Sequence, residues 1–290
     1  MRKLSERKIS ETTMILIADS GATKTDWCFG RNRTDASIIQ TQGINPFHQS
    51  KEHIKKVLTE ELLPQLSKTE PITHIHFYGA GCTPEKSIIV KEELEKLFPD
   101  ATIDVQSDLL GAARSLCGRK EGIACILGTG SNSCFYDGEK ITANVSPLGY
   151  ILGDEGSGAS LGKKLVSDCL KGILPNDICQ AFLEETGLTP ADIIDKVYRQ
   201  PQANRFLAGL TPFLSAHREH PEIQTLLLSC FTEFFRRNVM QYAYEGMEIH
   251  FTGSIAWHFQ KEVKKAAEAL NIQTGEIIKS PIHGLINYHI

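Results

Sequence analysis

Short apolar runs alternate along the chain with longer amphipathic ones. Met14–Ala18 is a β-branched-rich run that predicts a buried strand. A small polar turn, 19–25, leads into a second extended stretch, 26–29, and the pair predicts a hairpin. Between Lys51 and Leu66, apolar residues at Ile54, Val57, Leu58, Leu62 and Leu66 suit one helical face. A strand over 75–78, a helix over 87–98, a strand over 103–105 and a helix over 108–117 follow. The pattern then restarts. Residues 123–127 are an apolar strand, 128–132 a glycine-rich turn and 133–136 extended, with a hairpin turn at Asp137-Gly138. Placing Gly21 on Gly128 aligns the two units and suggests a duplicated fold. A helix over about 159–170, a mostly helical stretch over 175–246, a strand over 249–252, a helix to about Leu270 and a helical tail over 280–290 complete the pattern. Leu226, Leu227, Cys230, Phe231, Phe234 and Phe235 form a stripe expected in the core. This is an α/β pattern in two lobes, 14–118 and 119–279, with 280–290 expected to pack back on the first.

Composition narrows the classes. The chain has 290 residues, 41% hydrophobic and 23% charged, with a net charge of −4. The length suits two domains, and the charge argues against a nucleic-acid partner. Eight cysteines form no Cys-x-x-Cys pair and read as free thiols. Residues 1–13 lack the apolar stretch of a signal peptide, the first dozen are expected to fray, and no run is long enough to span a membrane. A cytoplasmic protein is the expectation.

The chemistry-bearing residues gather at turns. Several backbone N–H groups converging on a phosphate require small residues. The turns holding Gly21, Thr23 and Lys24, and Gly128, Thr129, Gly130 and Ser131, offer that, though neither matches a P-loop or a Rossmann fingerprint. Read singly, each could equally be a tight hairpin turn. Asp19 beside the first turn could hold Mg²⁺ through water or cap the turn. Asp108 opens a helix and reads either as a general base or as a helix-capping acid. Asp154 and Glu155 lie between glycines, where acids could meet hydroxyls or face solvent. Asn45 reads as a turn residue, and Gly253-Ser254 as a strand-to-helix junction open to a nucleotide. His74, His76, His217 and His220 read as structural or solvated, the last two on one helical face.

Five stretches together carry a resemblance: Ala-Asp-Ser-Gly-Ala-Thr-Lys-Thr-Asp (18–26), Gly-Ile-Asn-Pro (43–46), Ser-Asp-Leu-Leu-Gly-Ala-Ala (107–113), Leu-Gly-Thr-Gly-Ser-Asn (127–132) and Leu-Gly-Asp-Glu-Gly-Ser-Gly (152–158). In order and spacing they resemble the BadF/BadG-type ATPase family, and within it the N-acetylglucosamine kinases of the sugar kinase/actin-like ATPase superfamily. The resemblance implies two ribonuclease H-like lobes with ATP and Mg²⁺ in an interlobe cleft. It implies phosphate contacts from Gly21, Thr23, Lys24 and Gly128–Ser131, and adenosine contacts near Ala208, Gly253, Ser254 and Trp257. It places Asn45, Asp108, Gly149 and Asp154 at the sugar, with Asp108 as base for a hydroxyl, expected to be the 6-hydroxyl. A small-molecule sugar is the expected partner, and a homodimer the candidate assembly. An ATPase module that activates a partner enzyme is the alternative. One departure stands out. Leu148 occupies the place of a Trp in the animal N-acetylglucosamine kinases, so the acceptor ranges over N-acetylglucosamine, glucosamine, other amino sugars and muramic-acid derivatives.

Overall fold

The computed structural model describes residues 13–21, 23–66 and 71–290. The expected frayed start, residues 1–12, and Ala22 of the first turn lie outside the described residues. The described residues divide into two compact units, those up to 118 with 281–290, and 119–280.

In the first unit β1 (Met14–Ser20), β2 (Lys24–Gly30) and β3 (Ser37–Gln42) form an antiparallel meander. After α1 (Lys51–Lys56), β4 (Ile72–Gly79) pairs parallel to β1. After α2 (Ser87–Leu97), β5 (Thr102–Ser107) pairs parallel to β4, and α3 (Asp108–Cys117) follows. The sheet order is β3-β2-β1-β4-β5. β1 is apolar at successive positions because both of its faces are buried. Leu16 and Ala18 pack with Ile54, Leu58 and Val90 from one helical layer. Ile15 and Ile17 join Tyr78 on the other face. The amphipathic stretch after Ser50 is α-helical only to Lys56. It continues as a π turn over Val57–Leu62, and Pro64 sits in the closing 3₁₀ turn.

The second unit repeats the plan. β6 (Glu121–Leu127), β7 (Ser131–Asp137) and the short β8 (Ile141–Ala143) are antiparallel. A helical stretch follows: α4 (Gly149–Leu152), α5 (Gly158–Leu170), α6 (Asn176–Thr186), α7 (Pro190–Tyr198), α8 (Ala203–Ala208), α9 (Thr211–Ala216) and α10 (Pro221–Arg237). β9 (Glu248–Thr252) pairs parallel to β6. The expected single helix after it breaks at Phe259 into α11 (Ser254–His258) and α12 (Gln260–Glu268), and β10 (Gln273–Ile278) adds the outer strand. The order β10-β9-β6-β7-β8 gives a second mixed five-stranded sheet. The α10 stripe is buried with α5 and β9 in one large core.

The last helix, α13 (Ile282–His289), belongs to the first unit. Ile282, Leu285 and Ile286 pack on Ile15, Ile17 and Tyr78. Gly284 lets α13 lie directly on Ser115 of α3, whose hydroxyl donates to the Pro281 carbonyl at 2.9 Å. Among the described residues no helix is long and apolar enough to cross a membrane.

Candidate functional site

Parallel strands of an open α/β sheet gather ligands outside their carboxyl ends. In the first unit the register sets Ser20, Gly79 and Ser107 side by side at those ends. Gly21, the Ala80-Gly81 turn and Asp108 therefore emerge at one edge. Ser20 ties this edge together. Its hydroxyl lies 2.6 Å from Thr25 Oγ1 and donates to the Ile44 carbonyl at 2.9 Å. Its carbonyl accepts from Ala80 N–H at 2.8 Å.

Gly21 N–H donates to the Lys24 carbonyl at 3.0 Å and closes the first turn. The space where its Cβ would sit is open, with no atom nearer than 3.7 Å. Thr23 is exposed. Lys24 is exposed, but its ammonium is held by Asp26 at 2.8 Å and 3.0 Å. Asp19, half-buried, is the next-to-last residue of β1, two residues before Gly21. Asn45 sits against Gly81, which has φ +75°, and its Oδ1 accepts from Phe47 N–H at 3.0 Å.

Asp108 is the first residue of α3, but it does not cap the helix. Ser107 does so, accepting from Leu110 N–H at 3.3 Å. Asp108 Oδ1 instead accepts from Leu109 N–H at 2.9 Å. Burial pushes its carboxyl up to about 6, against the opposing pull of the Leu109 N–H and its own N–H. Gly111, one turn on, lets α3 pack tightly on Tyr78. Burial, with the Asp108 charge second, raises the nearby Cys82 thiol to about 12.

The second unit makes the equivalent edge from β10, β9 and β6, where Ile278, Thr252 and Ile126 are aligned. Gly128 N–H donates to the Gly130 carbonyl at 2.9 Å, and the Gly128 Cβ position is open. Gly158 N–H returns to the Gly128 carbonyl at 2.8 Å, and Ala159 N–H to the Thr129 carbonyl at 3.0 Å. Ala208 packs against Gly158, and Gly253, with φ +117°, presses on the Leu127 carbonyl and Gly128. This edge thus brings together Gly128–Ser131, Ala208 and Gly253. Ser254 and Trp257 follow on α11 and are exposed.

The acidic loop is tied to the same edge. Asp154 is buried with φ +54°, and its Oδ1 accepts from Ser131 N–H at 3.3 Å. Burial raises its carboxyl; the Ser131 N–H opposes that, Glu155 adds to it, and Lys163 opposes it. Glu155 turns elsewhere, 3.5 Å from Arg237. Leu148 and Gly149 are exposed in consecutive left-handed conformations. Non-glycine residues at positive φ cluster at ligand sites, and here Leu148 and Asp154 lie six residues apart.

A polar cluster not anticipated from sequence lies elsewhere in the first unit. His76 and His289 stack at 3.8 Å, Tyr78 Oη is 2.7 Å from His289 Nε2, and Arg114 donates to Tyr78 Oη at 2.8 Å. His217 and His220 do not share a helical face. They flank the α9–α10 turn, 2.8 Å from Glu185 and 3.3 Å from Glu222. None of the eight cysteines is in a disulfide. Among the described residues no three His, Cys, Asp or Glu side chains form a metal cage. The Asp19 carboxylate is a hard oxygen donor of the kind Mg²⁺ takes.

No protein-family model matches the chain. The N-acetylmuramic acid/N-acetylglucosamine kinase of Clostridium acetobutylicum is 32% identical over 176 residues, covering 56% of this chain and 56% of that protein. The match thus spans little more than half of that relative's length. A solved Porphyromonas gingivalis structure, provisionally assigned as an N-acetylglucosamine kinase, has a TM-score of 0.91 at 49% identity, covering 95% of this chain and 98% of that one. A Chromobacterium violaceum structure with the same provisional assignment gives 0.75 at 16% identity, covering 96% and 99%. A Streptomyces griseus ROK family glucokinase in complex with glucose and AMPPNP gives 0.56 at 13% identity, covering 95% and 97%. These last two establish the fold alone, and with the two mixed sheets they bear out the expected actin-like α/β class. At 49% identity across nearly the full length of both chains, the protein belongs to the N-acetylglucosamine kinase-like family.

Proposed function

We propose that the protein transfers the terminal phosphoryl group of ATP to a hydroxyl of an amino sugar, N-acetylglucosamine or glucosamine, at the 6-position. The observation that carries this reading is Asp108. Ser107 takes the N-cap, Asp108 accepts from Leu109 N–H, and burial still raises its carboxyl to about 6. A general base works best with a pKa near the working pH. A carboxylate used only to cap a helix would be lowered by the dipole instead.

The residues divide by role. Open turns at Gly21 and Gly128 leave room for phosphate oxygens to reach backbone N–H groups, with Thr23, Thr129 and Ser131 as flanking hydroxyls. Ala208, Gly253, Ser254 and Trp257 line the nucleoside, the first two being small enough to let it approach. Mg²⁺, when bound, supplies charge neutralisation on the transferring group, and Asp19 would hold it through water. Asn45, Gly149 and Asp154 bind the acceptor. Asp108 takes the hydroxyl proton as the new oxygen–phosphorus bond forms and the bond to the ADP bridging oxygen breaks. The relatives named as kinases of N-acetylglucosamine and N-acetylmuramic acid support the amino-sugar class.

The test is sugar-stimulated ADP release by wild type and Asp108→Asn. The reading expects an amino sugar to stimulate the wild type and the variant to lose about 10²–10⁴-fold in kcat at an unchanged fold. Full turnover in a folded Asp108→Asn protein would refute the base assignment. We propose a cytoplasmic protein acting on a small molecule, with a homodimer as the assembly to test by scattering.

A further inference from the structure

The two glycines of the Gly128-Thr129-Gly130 turn stand in different surroundings. Neither has a positive φ, so each is there for space rather than for backbone freedom. A Cβ on Gly128 would meet nothing closer than the Gly130 carbonyl at 3.9 Å. A Cβ on Gly130 would lie 3.0 Å from Asp154 Oδ2 and 3.3 Å from its Cγ and Oδ1, its three nearest atoms. The next residue, Ser131, donates its N–H to the same carboxyl.

Asp154 has little freedom to move aside. It is 8% exposed and held at φ +54°. Its N–H donates to the Pro147 carbonyl at 2.9 Å, and its carbonyl accepts from Ser157 N–H at 3.1 Å. Gly153 is pressed against Pro147, and Gly156 against Phe234 of α10. Tyr242 pins the approach to this segment, accepting from Val145 N–H at 2.8 Å and donating to the Ser133 carbonyl at 3.0 Å.

We propose that Gly130 is a positioning residue for the acid Asp154 and not a phosphate contact, so that one turn serves two substrates: Gly128 the nucleotide, Gly130 the acceptor sugar. This rests on the reading above that Asp154 binds the sugar. A methyl group at Gly130 lies 3.0–3.3 Å from the Asp154 carboxyl, which must shift away from its bond to Ser131 N–H to admit it, whereas the open side of the turn, at Gly128, is untouched. Its cost therefore falls on the acceptor and spares ATP.

The experiment compares wild type, Gly130→Ala, Asp154→Ala and the double variant with Mg-ATP and the stimulating sugar. Gly130→Ala is expected to raise the KM for sugar by about tenfold and to leave that for ATP within about twofold. In the Asp154→Ala background the same alanine is expected to change the sugar KM by less than about twofold, because the displaced group is gone. A raised KM for ATP at unchanged sugar KM, or equal effects in both backgrounds, would overturn the proposal. Melting temperatures read the same cycle without turnover, and the alanine is expected to lower the wild type more than Asp154→Ala. If no sugar stimulates the wild type, the kinase reading itself falls. The melting cycle then decides alone: additive losses remove Gly130 as the seat of Asp154, and non-additive losses retain it.

Discussion

Ser107 caps α3 while its neighbour Asp108, one residue later, holds its carboxyl to the Leu109 N–H at 2.9 Å. An acid at a helix start usually serves the helix. Here a serine has taken that task, and the acid is left half-buried with its pKa raised to about 6.

Activity should follow that group. As a base, Asp108 works only when ionised, so kcat/KM is expected to fall as pH drops below about 6 and to level off above it. A pH–rate profile checks this. A profile flat from pH 5 to 8, set as about that range from the general base argument, would remove Asp108 from the rate equation.

Stability should run the other way. The folded pKa of Asp108 lies above its ordinary value of 3.8. Between 3.8 and about 6 the native state therefore holds more protons than the unfolded chain, and the contribution of Asp108 to stability declines as pH rises through that window. Asp108→Asn removes the buried charge, so at pH near 8 it is expected to stabilise the protein by on the order of 1–2 kcal/mol. Thermal melts of both proteins on either side of the window measure this, and an effect that does not grow with pH would contradict it.

Asn45 rests on Gly81, which has φ +75° and no room for a Cβ. Gly81→Ala is expected to move Asn45, raising the KM for the acceptor about tenfold or more and costing about 1–3 kcal/mol of stability. Kinetics alongside melts check both parts, and an unchanged sugar KM would free Asn45 of its role.

α13 covers Ile15, Ile17 and Tyr78 and lies on Ser115 through Gly284. Gly284→Val is expected to destabilise the first unit by about 2–4 kcal/mol through overpacking against the α3 backbone. Calorimetry reads this directly, and an unchanged melting temperature would mean that α13 does not bear on the first unit's stability.

Most strands and helices were legible because their burial wrote an apolar pattern: β1 and β6 as continuous runs, α10 as a stripe. β3 and β10 escaped. Ser37, Gln40 and Gln42, then Gln273 and Glu276, are exposed, so these outer strands carry too few apolar residues to stand out. The site turns were visible as clusters of small and acidic residues. The pairings were not, because they join remote positions: Asp154 is 23 residues from Ser131 and, away from those turns, His289 is 211 from Tyr78. The separate tasks of Gly128 and Gly130 likewise depend on what packs above each, which periodicity does not encode.

The most direct test of the account is ADP release from Mg-ATP by the purified protein across hexoses, amino sugars and N-acetyl amino sugars, including a muramic-acid derivative. The account predicts strong stimulation by one amino sugar, lost in Asp108→Asn. Slow turnover that no sugar changes would contradict it.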